Sequence, residues 1–399
     1  VAESYSLKVV RSSFNEEKQM IVITGKDPKG VINGSVDFRY KYISESGNFM
    51  LNDGKYFGST FKGKMPEYEK TSSPCIRNRG VWTWGHVIYD YRKFIDNMTL
   101  LKMNMIVIWN DFVPINMEEV ISYAHQNGIK VIFGYSWGWG TDVDISSEED
   151  LNTWTEAALS TYENEYACLN GDGIYFQSFT ETTDDKINGT VIAEAVARWV
   201  NRIGKRLLMV YPDLEIQFGL HATSVKDRLS YLKEIDDRIT IVWEDCGAFP
   251  YHYSPKMIGD FEETKKFSSS VSLLRGEQDR FGAVLKGLTC LDWTDFEHQK
   301  GSYVLGKASP HVIQRKYELK KEYWHYVKAY WMKNACYALD MIKQIVSDKG
   351  NDVTIEALVE DGMLESRIWY PVALLSEMLW DSSLDLNELH FNASLIADL

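Results

Sequence analysis

Hydrophobic positions divide the chain into three stretches. From Arg77 onward, short apolar runs alternate with stretches whose apolar residues recur every three or four positions. Met105–Trp109 is an unbroken apolar run, as a strand covered on both faces would be. Ile192, Ala195, Val196, Trp199, Val200 and Ile203 keep a 3.6-residue period, which predicts an amphipathic helix. The same reading predicts strands at 80–84, 129–135, 173–179, 214–220, 239–243 and 283–291. One helix is predicted from Asp90, with Phe94, Met98 and Leu101 on one face. Another carries Val120, Ile121 and Ala124 and is stopped by Asn127-Gly128. Residues 1–43 read as a short α/β segment: apolar runs at Leu7 to Val10 and Met20 to Thr24, a turn over 25–30, then a helix over 31–43. Residues 44–76 are polar and Gly-rich and read as a connection. Beyond 310 the pattern is helical and rich in aromatics to residue 399.

Strands alternating with helices imply a parallel sheet. Seven such units, with an eighth strand not placed, predict a (β/α)8 TIM barrel over 77–310, preceded by the short α/β segment and followed by a helical C-terminal region at 311–399. An open doubly wound sheet would offer a Gly-rich phosphate turn after its first strand. Trp84-Gly85-His86-Val87 is not one.

Function in a barrel sits where strands end and loops begin. Those positions are Trp82, Trp84 and His86 after the first strand, and Trp109, Asn110 and Asp111 after the second. Tyr135, Trp137 and Trp139 follow the third, and Gln177, Thr180 and Glu181 the fourth. The later strands give His221, then Trp243, Glu244 and Asp245, then Asp292, Trp293 and Asp295. Seven of the 13 tryptophans fall on this one rim, where flat aromatic faces would suit the apolar faces of sugar rings. Plugging the barrel top is the structural alternative.

The carboxylates carry the sharper expectation. Glycoside hydrolysis needs one protonated carboxyl and one ionised carboxylate on opposite sides of the scissile bond. Glu181 ends a strand expected to be buried, where Tyr175 and Phe179 could desolvate it and suit it to act as general acid. Glu244 and Asp245 end a strand two further on and are candidates for base or nucleophile. His221 could bind a substrate hydroxyl or be a structural histidine, and His86 and His252 say less. Asp142-Val143-Asp144 has the look of a metal pair but suits a solvated loop as well. No metal motif is present, and no metal or cofactor is expected. Gly134-Tyr135-Ser136-Trp137-Gly138 matches the serine-hydrolase elbow, which requires a helix directly after it; Trp139-Gly140-Thr141-Asp142 reads as loop.

A formal charge of −14 argues against a nucleic-acid partner. No apolar run approaches a membrane span. Cys75, Cys168, Cys246, Cys290 and Cys336 are odd in number and scattered, as reduced and mostly buried thiols would be, and together with the lack of a visible signal segment this points to a cytoplasmic setting. The chain starts at Val1, so a secreted or periplasmic setting stays open.

Arg79-Gly80-Val81-Trp82-Thr83-Trp84-Gly85, Asp90 through Met98, and Leu101-Lys102-Met103-Asn104 resemble the start of the barrel in a group of exo-acting glycoside hydrolases: α-glucuronidases, β-N-acetylhexosaminidases and O-GlcNAc hydrolases. The preceding Ile21 to Gly34 resembles the end of the small α/β domain that those enzymes carry before the barrel. The resemblance implies a general acid at the end of the fourth strand, here Glu181. The hexosaminidases place an Asp before that acid; this chain has Thr180, which removes the acetamido-assisted route and tilts the expectation toward inversion, with water held by Glu244, Asp245 or Asp292. The expected partner is a carbohydrate substrate. A non-catalytic carbohydrate-binding protein and a serine esterase are the alternatives.

Overall fold

The computed structural model describes residues 1–42, 67–84, 88, 90–109, 113–138, 141–182, 184–221, 224–244, 261–276, 279–285, 309–359 and 363–397. The chain opens with a hairpin, β1 (Tyr5–Arg11) and β2 (Gln19–Gly25), paired antiparallel from Tyr5 opposite Gly25 to Arg11 opposite Gln19. Helix α1 (Pro28–Asp37) follows. It starts earlier than the apolar pattern suggests because Asp27 caps it, accepting from the Gly30 amide at 2.8 Å, and Pro28 is pre-set for the first turn. A π-helical turn, Phe38–Tyr42, extends it. Strand β3 (Tyr68–Ser72) lies inside the stretch expected to be connection and pairs with the other edge of β1.

Eight parallel strands close the barrel. The first four are β4 (Asn78–Trp84), β5 (Met105–Trp109), β6 (Lys130–Gly134) and β7 (Gly173–Gln177). They are followed by β8 (Glu215–Leu220), β9 (Ile239–Trp243), β10 (Phe281–Leu285) and β11 (Thr354–Leu358). The helices between them are α2 (Tyr91–Leu100), α3 (Met117–Gln126), α4 (Glu148–Thr161), α5 (Ile192–Val210), α6 (Phe261–Ser272) and the 40-residue α7 (Pro310–Lys349). Helices α8 (Tyr370–Trp380) and α9 (Leu386–Ser394) complete the described chain. Strand β11 closes the ring by pairing with β10 on one side and β4 on the other, Leu358 opposite Trp82. It is the eighth strand, and it lies beyond residue 310, so the barrel reaches into the region expected to be helical.

Alternation along each strand divides the core in two. One cluster fills the barrel interior: Trp82, Met105, Val107, Trp109, Ile132, Tyr175, Val242, Val284 and Leu358. The residues of opposite parity, among them Val81, Ile106, Phe133, Phe176, Phe218 and Trp243, join the larger core between strands and helices.

Under the N-terminal ends of the strands lies a buried ionic network. Lys102 Nζ reaches Asp37 at 2.9 Å and Glu377 at 3.4 Å, and Lys41 Nζ reaches Glu377 at 2.6 Å and Asp37 at 3.6 Å. Tyr5 donates its hydroxyl to Asp37, and Arg79 pairs with Glu3. Burial alone would raise Asp37, but Lys102 and Lys41 outweigh it and hold the carboxyl well below the usual range. The network ties the N-terminal segment and α8 to the barrel floor.

Candidate active site

Parity decides which side chains enter the barrel mouth. Glu244 directly follows β9 and turns inward, fully buried. Its Oε1 accepts from the Tyr175 hydroxyl at 2.7 Å, and its Oε2 accepts from Gln177 Nε2 at 2.5 Å. His221 Nε2 stands 3.0 Å from the same Oε2 and 3.3 Å from Gln177 Nε2. Strands four, five and six of the barrel thus each send a polar group to one point. The space for it is made by Gly219 on β8: a methyl group there would collide with Glu244 Oε1 and the Tyr175 hydroxyl.

The fourth strand ends in a 3-10 turn, Phe179–Glu181, which puts the backbone of Glu181 on the same rim. Thr180, the position where an Asp was missing, is buried and structural. Its hydroxyl accepts from the His221 amide at 3.2 Å, and its carbonyl accepts from the Ser224 hydroxyl at 2.9 Å. The end of the fourth strand is therefore fastened to the end of the fifth. Of the two residues expected to flank Glu181, Tyr175 donates to Glu244, and Phe179 packs on Trp199 of α5 with ring centroids 5.1 Å apart.

The aromatic rim separates into two groups. Trp82, Trp109 and Tyr175 meet inside the mouth, with centroids 5.7–6.1 Å apart, and Trp109 keeps a sliver of exposure. Trp137 and Trp243 do not belong to a sugar platform. Trp137 is fully buried, stacked on Phe176 at 3.5 Å and edge-on to Trp199. Trp243 is fully buried against Phe267 of α6. Tyr135 turns the same way and donates to the Ala158 carbonyl of α4 at 3.2 Å. Their parity sends them into the layer between strands and helices, where large aromatics fill volume. Of Trp84 only the backbone, ending β4, is described. His86, Asn110, Asp111, Trp139, Asp245, His252, Asp292, Trp293 and Asp295 lie outside the described residues.

Sequence reasoning missed two polar side chains of the barrel interior, Tyr175 and Glu356. Tyr175 was read only as an apolar flank, yet its hydroxyl is the link to Glu244. Glu356, in the middle of β11, is fully buried inside the barrel. Its signal was present as a single acid interrupting the run Val353-Thr354-Ile355-Glu356-Ala357-Leu358-Val359. Burial pushes its carboxyl well above the ordinary glutamate range, and the negative charges of Glu244 and Glu215 push it further.

Other candidates resolve differently. Among the described residues after Ser136 no helix begins until α4 at Glu148, against the helix that a serine-hydrolase elbow requires directly after it. Asp144 accepts from Ser146 and Asn188, and no metal-ligating cluster forms among the described residues. Of the described cysteines, Cys168 and Cys336 are exposed and Cys75 is half-buried, against the expectation of mostly buried thiols. No helix among the described residues is long and apolar enough to cross a membrane.

No protein-family model matches the chain, and no curated protein matches it. Among solved structures, a GH138 enzyme targeting pectin rhamnogalacturonan II aligns over 96% of this chain and 46% of its own, at 12% identity and a TM-score of 0.52. A GH20 exo β-N-acetylglucosaminidase from Vibrio harveyi aligns over 72% of this chain and 50% of its own, at 10% identity and a TM-score of 0.42. CpGH84D aligns over 71% and 45%, at 13% identity and a TM-score of 0.41. The chain spans about half the length of these structures. The first alignment shows a shared fold: the chain is a (β/α)8 barrel, and its structural neighbours are glycoside hydrolase barrels.

Proposed function

We propose that the chain is a glycoside hydrolase that removes a terminal sugar from an oligosaccharide or glycoconjugate. One observation carries the reading: a fully buried carboxylate, Glu244, at the C-terminal end of a barrel strand, engaged by a phenol, an amide and an imidazole from two neighbouring strands. Acids gathered in a barrel mouth are a functional signature rather than a packing need. The fold shared with an enzyme that targets a pectic polysaccharide supports the substrate class.

In this reading Glu181 protonates the leaving glycosidic oxygen as the bond to the anomeric carbon breaks. Glu244 or Asp245 takes a proton from the attacking water, or itself attacks the anomeric carbon. Gln177 and His221 orient the Glu244 carboxylate, and Tyr175 fixes its other oxygen. The absence of an Asp before Glu181 favours direct attack by water and an inverted product.

A panel of aryl glycosides tests the activity, beside calorimetry with the matching free sugars. Binding without turnover on every sugar would leave a carbohydrate-binding protein. For an active substrate, Glu181→Gln should slow poor leaving groups by about 10²–10⁴-fold and activated aryl groups far less. Equal losses on both would remove Glu181 as the acid. Proton NMR of the first-formed sugar reads the anomer; a retained configuration would make the second carboxylate a nucleophile.

A further inference from the structure

The barrel interior holds a second acid that this chemistry does not use. Glu356 sits on β11 with both carboxyl oxygens lacking a hydrogen-bond partner among the described residues. Its room comes from Gly80 on the adjacent β4: a methyl group there would stand 2.9 Å from Glu356 Cγ and 3.0 Å from Met105 Cε. Met105 also meets Gln217 on β8, whose Nε2 approaches the Met105 sulfur at 3.4 Å and whose Oε1 has no partner among the described residues. Two glycines thus admit two acids, Gly219 for Glu244 in the mouth and Gly80 for Glu356 in the body of the barrel.

The two acids are held in different ways. Glu244 has hydrogen-bond donors turned onto both oxygens. Glu356 has none among the described residues, an arrangement a neutral carboxyl tolerates far better than a carboxylate. We propose that Glu356 is a positioning residue for Glu244: while protonated it adds no charge beneath the Glu244 carboxylate, and once ionised it repels Glu244 and loosens the Tyr175–Gln177–His221 cluster. This rests on Glu244 being the reacting carboxylate. Among the described residues, the charges that act on Glu356 are Glu244 beyond β9 and Glu215 on β8, itself paired with Lys130 of β6, while Tyr175 on β7 and His221 at the end of β8 stand against Glu244. Gly80, Met105, Gln217 and Val284 bring no charge from β4, β5, β8 and β10.

Infrared titration of the intact protein, with Glu356→Gln as the subtraction, should show a protonated carboxyl persisting at neutral pH. In Glu244→Gln the same band should vanish at a lower pH, since one of the charges opposing ionisation is gone. That coupling is read without any substrate. With an active substrate, Glu356→Gln should extend the alkaline limb of kcat/KM, so that the variant outpaces the parent by about tenfold at the alkaline end. The same variant should lose the fall in stability that the parent shows as pH climbs from the ordinary glutamate range toward the Glu356 pKa. A carboxyl already ionised at neutral pH, a band unmoved by Glu244→Gln, or an unchanged alkaline limb would each overturn the proposal. Should Glu356→Gln fail to fold, the shift between parent and Glu244→Gln decides it. Coupling in a protein that hydrolyses no glycoside would sink the hydrolase reading while upholding the link between the two acids.

Discussion

The two ends of the barrel bury charge by opposite rules. On the floor, Asp37, Glu377 and Glu3 are answered by Lys41, Lys102 and Arg79 at ion-pair distance. In the mouth and interior, the partners described for Glu244 are a tyrosine, a glutamine and a histidine, and Glu356 has no hydrogen bond among the described residues. Compensated charge fixes geometry, because removing one partner strands the others in a low-dielectric interior. A buried acid short of hydrogen-bond donors costs stability, and perturbed acids gathered in a cleft are a mark of function. The floor is thus a joint between segments distant in the chain, and the mouth is the place where chemistry is expected.

The comparison can be broken by exchanging one residue at each end. Glu244→Gln preserves shape and should lower kcat/KM by about 10³-fold or more while the protein stays folded. Lys102→Met should do the reverse. It leaves Asp37 and Glu377 short of a cation and should cost about 3–5 kcal/mol of stability, with kcat/KM of the folded protein unchanged. Denaturant unfolding beside steady-state kinetics reads both. If Glu244→Gln keeps its rate and loses stability, the mouth obeys the floor's rule and the distinction fails.

The legible parts of the chain were those whose pattern has a single explanation. Met105–Trp109 and Ile239–Trp243 could only be covered strands, and both are. Glu244 was found because it follows such a strand. The eighth strand was not found: it is five residues long, carries Glu356 at its centre, and follows a 40-residue helix that reads as the end of the barrel. Strand β3 alternates half-buried and exposed residues and offers no apolar run. The aromatic rim misled because a strand end gives no parity once the chain leaves the ladder. Trp137 lies three residues past β6 and turns outward, while Trp109, the last residue of β5, turns inward.

That division sharpens into a third test. Trp137→Ala removes a fully buried indole stacked on Phe176 and edge-on to Trp199. It should cost about 3–5 kcal/mol of stability, the range for truncating a large core aromatic, and leave sugar affinity of the folded fraction intact. A variant that melts normally but binds sugar less well would restore Trp137 to the rim.

The smallest expected effect lies at the edge of the floor, where Lys29 of α1 reaches into the barrel's outer turns. Its Nζ donates to the Asn127 carbonyl at 2.8 Å, and its stem covers Gly128, which has a left-handed φ of 65°. Burial pulls this lysine down to about 7, and Glu3 only partly offsets the loss while Arg79 adds to it. The floor's pairing rule is therefore incomplete here, and the pH dependence has a definite sign. Between about 7 and the unfolded lysine value near 10.4, the unfolded chain binds the proton that the folded one has released. The contribution of Lys29 to stability should consequently rise with pH across that window, the opposite of what a lysine gaining a strong partner would give. At neutral pH Lys29→Met should change stability by only about 1 kcal/mol, because a lost hydrogen bond and a relieved buried charge oppose each other. It should also flatten the alkaline rise. Unfolding curves collected from pH 6 to 10 for the parent and the variant would show this. A difference between parent and variant that stays level or falls over that range would mean that Lys29 stays charged, and that the floor pairs its cations without exception.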